Sequence, residues 1–298
     1  AVRRSSCGNE VLLRGIIEFS NHCVRNCLYC GLRRDNKKLS RFRMAPVEIR
    51  MTAERIVRSG ITTVILQSGD DPGFKTEALC RLIQELKRRF PGLAITLSVG
   101  ERPLADYKKF KEAGADRYLL KHEAANPKLY ARLHPGQTLT KRMRILRYLK
   151  KLGYEVGAGT IVGLPGQTME DLAKDIIFMK KLGVEMAGIG PFVPQKDTPL
   201  AGFPAGSSEL TRRVIALTRL ALPRVNLPAT TALATVDKSR GQIKALQSGA
   251  NVLMCNFTPA QYCRSYRIYD DKVRVSLQEA RRVIRAAGRK AVFLTLSK

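Results

Sequence analysis

The residues best equipped for chemistry are three thiols within one short run, Cys23-Val24-Arg25-Asn26-Cys27-Leu28-Tyr29-Cys30. An apolar stretch, Arg14-Gly15-Ile16-Ile17-Glu18-Phe19, comes just before them, so Cys23, Cys27 and Cys30 fall in the loop leaving an expected strand. Closed structural zinc sites take four protein ligands, and a cubane iron–sulfur cluster normally takes four thiolates. Three thiols therefore leave one metal position open for something that is not protein.

The spacing C-x3-C-x2-C with an aromatic residue before the last cysteine resembles the signature of the radical S-adenosylmethionine (SAM) superfamily. In that superfamily the amino and carboxylate groups of SAM chelate the unique iron of a [4Fe-4S] cluster. The plainer alternative is a zinc knuckle completed by His22 or a distant cysteine. It is the weaker one, because His22 directly abuts Cys23 and no second C-x2-C occurs.

Composition bounds the class. A chain of 298 residues, 44% hydrophobic, can bury a sizeable core, and one α/β barrel runs to about 250 residues, so a single domain over residues 1–298 is expected. Seven cysteines, with Cys7, Cys80, Cys255 and Cys263 scattered singly, do not make a secreted disulfide framework. The basic start Ala1-Val2-Arg3-Arg4-Ser5-Ser6 has no apolar run after it, and no stretch reaches membrane-span length. The expectation is a cytoplasmic protein in a reducing compartment, and the missing initiator Met suggests a trimmed start.

The net charge of +28 would attract nucleic acid, anionic cofactors or an acidic one-electron donor such as a ferredoxin or flavodoxin. Yet runs such as Lys87-Arg88-Arg89 and Lys141-Arg142-Met143-Arg144 recur at helical spacing along the whole chain, as solvated helix faces do. No aromatic-interleaved basic stripe accompanies them, so nucleic acid is disfavoured as a partner, and no membrane is expected.

Positioning such a loop requires a frame, and apolar runs alternate with amphipathic stretches throughout. Strands are expected at 12–19, 62–67, 93–98, 117–121, 154–162, 185–190, 225–229 and 251–254. Helices are expected at 46–59, 75–89, 103–113, 139–152, 168–182, 207–221, 238–248 and 276–287, with Pro46 and Pro103 at starts and Gly60, Gly114, Gly153, Gly183 and Gly249 after ends. Eight βα units imply an α/β fold, a complete (β/α)8 TIM barrel whose chemistry gathers where strands end. The unusual polar motifs do fall there: Gln67-Ser68-Gly69-Asp70-Asp71, Ser98-Val99-Gly100-Glu101, Lys121-His122-Glu123, Gly163-Leu164-Pro165-Gly166-Gln167-Thr168 and Thr230-Thr231. Singly, each reads as a turn or a helix start. Together, on one rim beside the thiols, they suit a ligand with amino, carboxylate, sulfonium and ribose groups, for which Glu123 and Arg142 are reasonable hydroxyl-binding and carboxylate-binding groups.

Several runs carry a closer likeness: Ile16-Ile17-Glu18-Phe19-Ser20-Asn21, Tyr29-Cys30-Gly31-Leu32-Arg33-Arg34-Asp35-Asn36, Leu66-Gln67-Ser68-Gly69, Ala115-Asp116-Arg117-Tyr118-Leu119-Leu120, Gly157-Ala158-Gly159, Gly188-Ile189-Gly190-Pro191-Phe192 and Pro228-Ala229-Thr230-Thr231. In this order, from about residue 12 to about residue 270, they resemble the HydE family of [FeFe]-hydrogenase maturases, a group that includes methylornithine synthase and is more distantly similar to biotin synthase. The resemblance implies that Cys23, Cys27 and Cys30 hold one [4Fe-4S] cluster and are the catalytic metal ligands. It implies that Tyr29 and Ile161 meet the SAM adenine, that Gln67, Ser68 and Gly69 meet its methionyl amino end, that Ser98 is a further cofactor contact, that Glu123 binds the ribose and that Arg142 partners the carboxylate. Arg117, Lys121, Thr230, Thr231, Met254, Tyr266 and Tyr269 would line the substrate cavity.

The family's chemistry cleaves SAM reductively to methionine and a 5′-deoxyadenosyl radical, which the barrel shields from water and stray hydrogen donors. Acting on a small anionic, sulfur- or amino-acid-bearing substrate during assembly of the hydrogenase cluster, such an enzyme would work with other hydrogenase maturases. Two departures stand out. HydE proteins commonly carry Arg where this chain has Lys121, a point charge rather than a planar fork. Some members also have a second, C-terminal cysteine triplet, whereas no cysteine follows Cys263 here, so one cluster is expected. Isolated cysteines such as Cys255 and Cys263 are most often small buried apolar residues. A paralogue with a methylornithine-synthase-like or biotin-synthase-like reaction is the enzymatic alternative, and a metal-bearing nucleic-acid-binding protein is the non-enzymatic one.

Overall fold

Short apolar runs rich in Val, Ile and Leu form the strands of one parallel sheet, and the amphipathic stretches between them return the chain over its outer face. In the computed structural model, which describes residues 1–293, the strands are β1 Glu10–Ser20, β2 Thr63–Ser68, β3 Ala94–Ser98, β4 Arg117–Leu119, β5 Glu155–Val162, β6 Met186–Pro191, β7 Val252–Asn256 and β8 Lys290–Val292. The helices are α1 Val2–Cys7, α2 Pro46–Arg58, α3 Thr76–Arg89, α4 Leu104–Glu112, α5 Pro127–Leu133, α6 Leu139–Lys151, α7 Met169–Leu182, α8 Ser208–Ala221, α9 Thr231–Val236, α10 Gly241–Gln247, α11 Ala260–Cys263 and α12 Leu277–Ala286. Their ends follow local chemistry. Pro46 and Pro127 open α2 and α5, Thr168 with Asp171 and Ser276 with Glu279 form capping boxes, and Gly183 ends α7 in the left-handed conformation.

Strand order is β6-β5-β4-β3-β2-β1-β7, with β8 paired to the start of β1, and every ladder is parallel. The expected complete (β/α)8 barrel is corrected in one respect. Residues 225–229 do not form a strand, so seven strands make a curled, TIM-like sheet that is open between β6 and β7. Pro228, which has no N–H to donate, interrupts any ladder there. The stretch still spans the gap by single bridges, Met186 to Asn226 and Pro228 to Val252.

Alternation along β1 sets the division between core and cavity. Leu13, Ile17 and Phe19 point outward into the main core with Val64, Leu66, Ile95 and Leu97, whereas Arg14, Ile16 and Glu18 point inward. Gly15 lies on the outward set because a Cβ there would meet Ile56 Cγ2 at 2.5 Å. Several inward positions of the other strands are small or polar, among them Thr96, Ser98, Gly188 and Gly190, beside apolar Ile65, Leu119, Met186 and Met254. Barrel interiors are ordinarily filled by layers of branched side chains; here the small residues leave a cavity of about 380 Å³.

Ile56, fully buried against Gly15, should therefore be costly to truncate: Ile56→Ala is expected to lower unfolding free energy by about 2–5 kcal/mol. Met51→Ala, on the same helix but 57% exposed, should stay within about 0.5 kcal/mol. Paired urea titrations check the contrast, and equal losses would contradict this packing.

Candidate active site

All three thiols line the cavity, at the end where the strands finish. They are free and half-buried. Removal from water pushes each up: Cys27 to about 12, with neighbouring Cys23 adding to it, Cys30 well above its usual value, and Cys23 more modestly. Two donors already face the sulfurs, the Arg25 backbone N–H at 3.4 Å from Cys23 Sγ and Gln137 Nε2 at 3.6 Å from Cys27 Sγ. Among the described residues no three His, Cys, Asp or Glu side chains are arranged to hold a single metal ion. Three desolvated thiols on one cavity with N–H donors aimed at two of them fit a polynuclear cluster better than a zinc knuckle. His22 is not part of the cavity wall.

The loop is held from several sides. Gly69, after β2, touches it so closely that a Cβ would meet His22 O at 2.3 Å and Cys23 Cβ at 2.7 Å. Arg25 donates from Nε to Asp70 Oδ2 at 2.6 Å and from Nη2 to Glu101 Oε2 at 3.2 Å. Glu101 is buried and also binds Arg142 Nε at 2.8 Å and Lys141 Nζ at 3.2 Å. Burial alone would raise the Glu101 carboxyl, but Arg142 and its other cations hold it below the usual range. Arg142 is likewise kept charged despite burial, by Tyr130, Glu101 and Asp70. Its guanidinium further donates to Lys121 O at 2.6 Å and Gln137 Oε1 at 3.3 Å.

Tyr29 and Ile161 both pack on a small apolar cluster of Ala124, Leu129, Leu133, Leu164, Phe192 and Leu200, separate from the main core. Tyr29 O–H donates to His134 Nε2 at 2.8 Å, because His134 Nδ1–H is engaged by Tyr130 O at 2.8 Å. Burial drops His134 from 6.5 to about 4, so the ring stays neutral. Glu123 is one of two non-glycine residues with positive φ among the described residues, at 62°. Bonds from Glu123 N to Gly159 O and from Ile161 N to Glu123 O fix that conformation. Its Oε2 is buried without a hydrogen bond of sound geometry, although Lys121 Nζ lies 2.9 Å away.

The structure brings Gln67, Ser68, Gly69, Ser98, Lys121, Thr230, Thr231, Met254, Tyr266 and Tyr269 onto the same cavity as the thiols, Tyr29, Glu123, Arg142 and Ile161. Gln67 Nε2 donates to Tyr266 Oη at 3.2 Å, and Thr230 caps α9. Arg117 is the exception. It opens β4, below the cavity, where it pairs with Glu155 at 2.6 Å and reaches Thr63 Oγ1 at 3.3 Å. Cys255 is fully buried in the core and Cys263 lies on α11, both off the cavity.

Sequence reasoning missed Arg14, Glu18, His134, Gln137 and Lys272, all of which line it. Arg14 and Glu18 carried a signal: two charges four apart in an apolar strand share one face. Arg14, lowered to about 10 by burial and then by Arg117, contacts only Met186 Sδ, at 2.9 Å. Lys272 is paired with Glu18, which also accepts from Asn256 Nδ2 at 3.0 Å.

Comparison with known proteins agrees with this geometry. The signature of the Radical SAM superfamily matches residues 17–179. The chain is 48% identical over 272 residues to the [FeFe] hydrogenase maturase subunit HydE of Thermotoga maritima, covering 91% of this chain and 77% of that one. It is 31% identical to 3-methylornithine synthase of Methanosarcina acetivorans, over 85% of this chain and 71% of the relative. Its fold superposes on the crystal structure of methylornithine synthase (PylB) with a TM-score of 0.87 at 27% identity, covering 98% and 86% of the two chains.

Two outcomes test the site. Gly69→Ala should displace the thiol loop and reduce iron uptake on anaerobic reconstitution, with circular dichroism unchanged; full uptake would contradict the contact. His134 binds a proton less readily folded than unfolded, so its stabilisation is complete above about pH 6.5 and fades as pH falls toward 4. Urea midpoints should show wild type losing about 2 kcal/mol more than His134→Gln between pH 7 and pH 5.

Proposed function

The chain belongs to the radical SAM superfamily and, within it, to the HydE family, and on that premise we propose that it is a maturase acting in assembly of the [FeFe]-hydrogenase active-site cluster. The observation that carries this reading is a cavity with three thiols, Cys23, Cys27 and Cys30, at one end, and the cations Arg14, Lys121 and Lys272 at the other. Cys23, Cys27 and Cys30 would hold a [4Fe-4S] cluster, which when bound would supply the electron for reductive cleavage of SAM.

The protein's own residues hold and orient. Gln67, Ser68, Gly69 and Ser98 receive the methionyl side of SAM. Glu123, with its unbonded Oε2, accepts from the ribose hydroxyls, and its strained backbone aims it there. Tyr29 and Ile161 offer an apolar face for the adenine, and the His134 bond keeps the Tyr29 ring in place. Arg142, already tied to Glu101, Gln137 and Lys121 O, sets a positive field beside the methionyl carboxylate rather than a free fork.

Lys121, Thr230, Thr231, Met254, Tyr266 and Tyr269 form the substrate end. Arg14 and Lys121 are the cations available there, so a small molecule with a carboxylate or other anionic end suits it, and a sulfur-bearing amino-acid skeleton would be accommodated beside Met254. The likeness to methylornithine synthase keeps carbon-skeleton rearrangement as the second reading, favoured by Lys121, a point charge where HydE relatives commonly place an arginine fork. A net charge of +28 favours an acidic one-electron donor of the ferredoxin or flavodoxin kind. Among the described residues no helix is long and apolar enough to cross a membrane.

Anaerobic reconstitution with iron and sulfide, dithionite reduction and quantification of 5′-deoxyadenosine test the proposal. Wild type should release it and Cys27→Ala should not; uptake of zinc with no cluster would overturn it. Glu123→Gln should raise the SAM KM about 10- to 100-fold, the worth of a hydrogen bond to a charged group.

A further inference from the structure

Beside the main cavity lies a second one, of about 780 Å³, lined by Lys196, Lys238, Arg264, Arg267 and Lys272 against two acids, Asp270 and Asp271. Asp270 is occupied, accepting from Lys196 N at 2.7 Å and Gln195 Nε2 at 3.2 Å. Four cations besides the paired Lys272 stand against two carboxylates, so the concave surface is net positive. Its far wall is shared: Tyr266, Tyr269 and Lys272 line both cavities.

That wall is made of groups that can exchange partners. Lys272 sits 4.8 Å from the Tyr266 ring centroid and is paired with the buried Glu18. Next to it, Asp271 has φ 51°, the other positive-φ non-glycine residue among the described residues. Beyond the wall, Arg14 and Lys121 face the interior. Cations thus stand in series, at the outer surface, in the wall and at the inner end. On the opposite side, the segment that carries this wall backs onto the thiol loop, with Gly31 N bonded to Ile268 O at 2.9 Å.

We infer that the second cavity is an access vestibule for the anionic substrate, which crosses the wall by replacing Glu18 as the partner of Lys272. The inference rests on the small anionic substrate proposed above. With cluster and SAM in place, the thiol side of the main cavity is filled, and the vestibule gives the substrate end a separate approach. Focusing by like charges in a concave surface raises the local concentration of anions and slows cations.

Cys263, on the vestibule lining, is a native reporter. The full chain is treated at low salt with an anionic (sulfonatoethyl) or a cationic (trimethylammonioethyl) methanethiosulfonate, and labelling is followed by peptide mass mapping, with Cys80 on α3 as internal reference. The anionic-to-cationic rate ratio at Cys263 should exceed that at Cys80 by about tenfold, the low end of electrostatic focusing, and should collapse in the double variant Lys238→Gln/Arg267→Gln. Equal ratios at the two thiols would overturn the vestibule.

Passage through the wall is read with Met254→Cys, reconstituted and saturated with SAM. The anionic reagent should reach the introduced thiol with SAM bound, more slowly when Lys238→Gln/Arg267→Gln is added. Complete protection by SAM, or a rate indifferent to those two substitutions, would place access on the thiol side and overturn the route. Release of 5′-deoxyadenosine by Lys238→Gln/Arg267→Gln should equal wild type. A protein that never cleaves SAM sinks the proposed function, while the Cys263 ratio still judges the vestibule.

Discussion

The structure of the site depends on one buried charge network, Asp70 to Arg25 to Glu101 to Arg142. It joins four separate pieces of chain: the loop after β1 that carries the thiols, the ends of β2 and β3, and the first turns of α6. A buried ion pair in isolation adds little to stability, since desolvation offsets its attraction; removing one member, however, leaves an uncompensated charge and costs several kcal/mol. Such a network therefore holds its members in one arrangement more than it strengthens the fold. Counting Lys141, it has three cations against two carboxylates, so it carries a surplus positive charge. Arg25, Asp70 and Arg142 of this network line the same cavity as the three thiols.

Glycine lets the network close. A Cβ at Gly100, φ 71°, would overlap Asp70 Oδ1 at 1.5 Å, and a Cβ at Gly69 would strike the thiol loop. With both positions bare, the carboxylate of Asp70 and the backbone of the loop come within reach of one arginine. The same economy of side chains at Gly188 and Gly190 on β6 keeps the interior open, so the sheet encloses a cavity where a packed core would otherwise form. Strength then comes from the outward faces, where Ile17, Leu66 and Leu97 meet helix residues such as Ile56 in the main core.

Much of this was legible in the sequence because it is written in local chemistry. Seven of eight expected strands and every long helix follow from periodicity, proline and glycine, and the thiol loop, the Gln67-Ser68-Gly69 turn, Lys121 and Glu123 fall on the cavity as strand-end motifs should, while His122 between the last two turns into the core. The errors share a cause, which is that sequence gives register along a strand but not height within a barrel. Arg117 has the same inward parity as Leu119 and Lys121, yet it sits one layer too low and is neutralised by Glu155. Arg14 was overlooked inside an apolar run, although it is the cation that reaches the cavity floor. Residues 225–229 read as a strand by composition, and the imino nitrogen of Pro228 reduces them to single bridges.

Glu123 shows what no pattern of residue types could have revealed. Glutamate has no intrinsic preference for positive φ, and a non-glycine residue held there costs about 1–3 kcal/mol. The strain is maintained by the flanking strand, through Gly159 O and Ile161 N, rather than by anything Glu123 itself gains. Its carboxylate lies beside Lys121 without satisfying Oε2. A fold that stabilises a strained backbone only to leave a buried acceptor unbonded gains nothing in stability from the arrangement. Glu123 thus brings an acceptor, beyond its pairing with Lys121, to the cavity that the cysteine loop also lines.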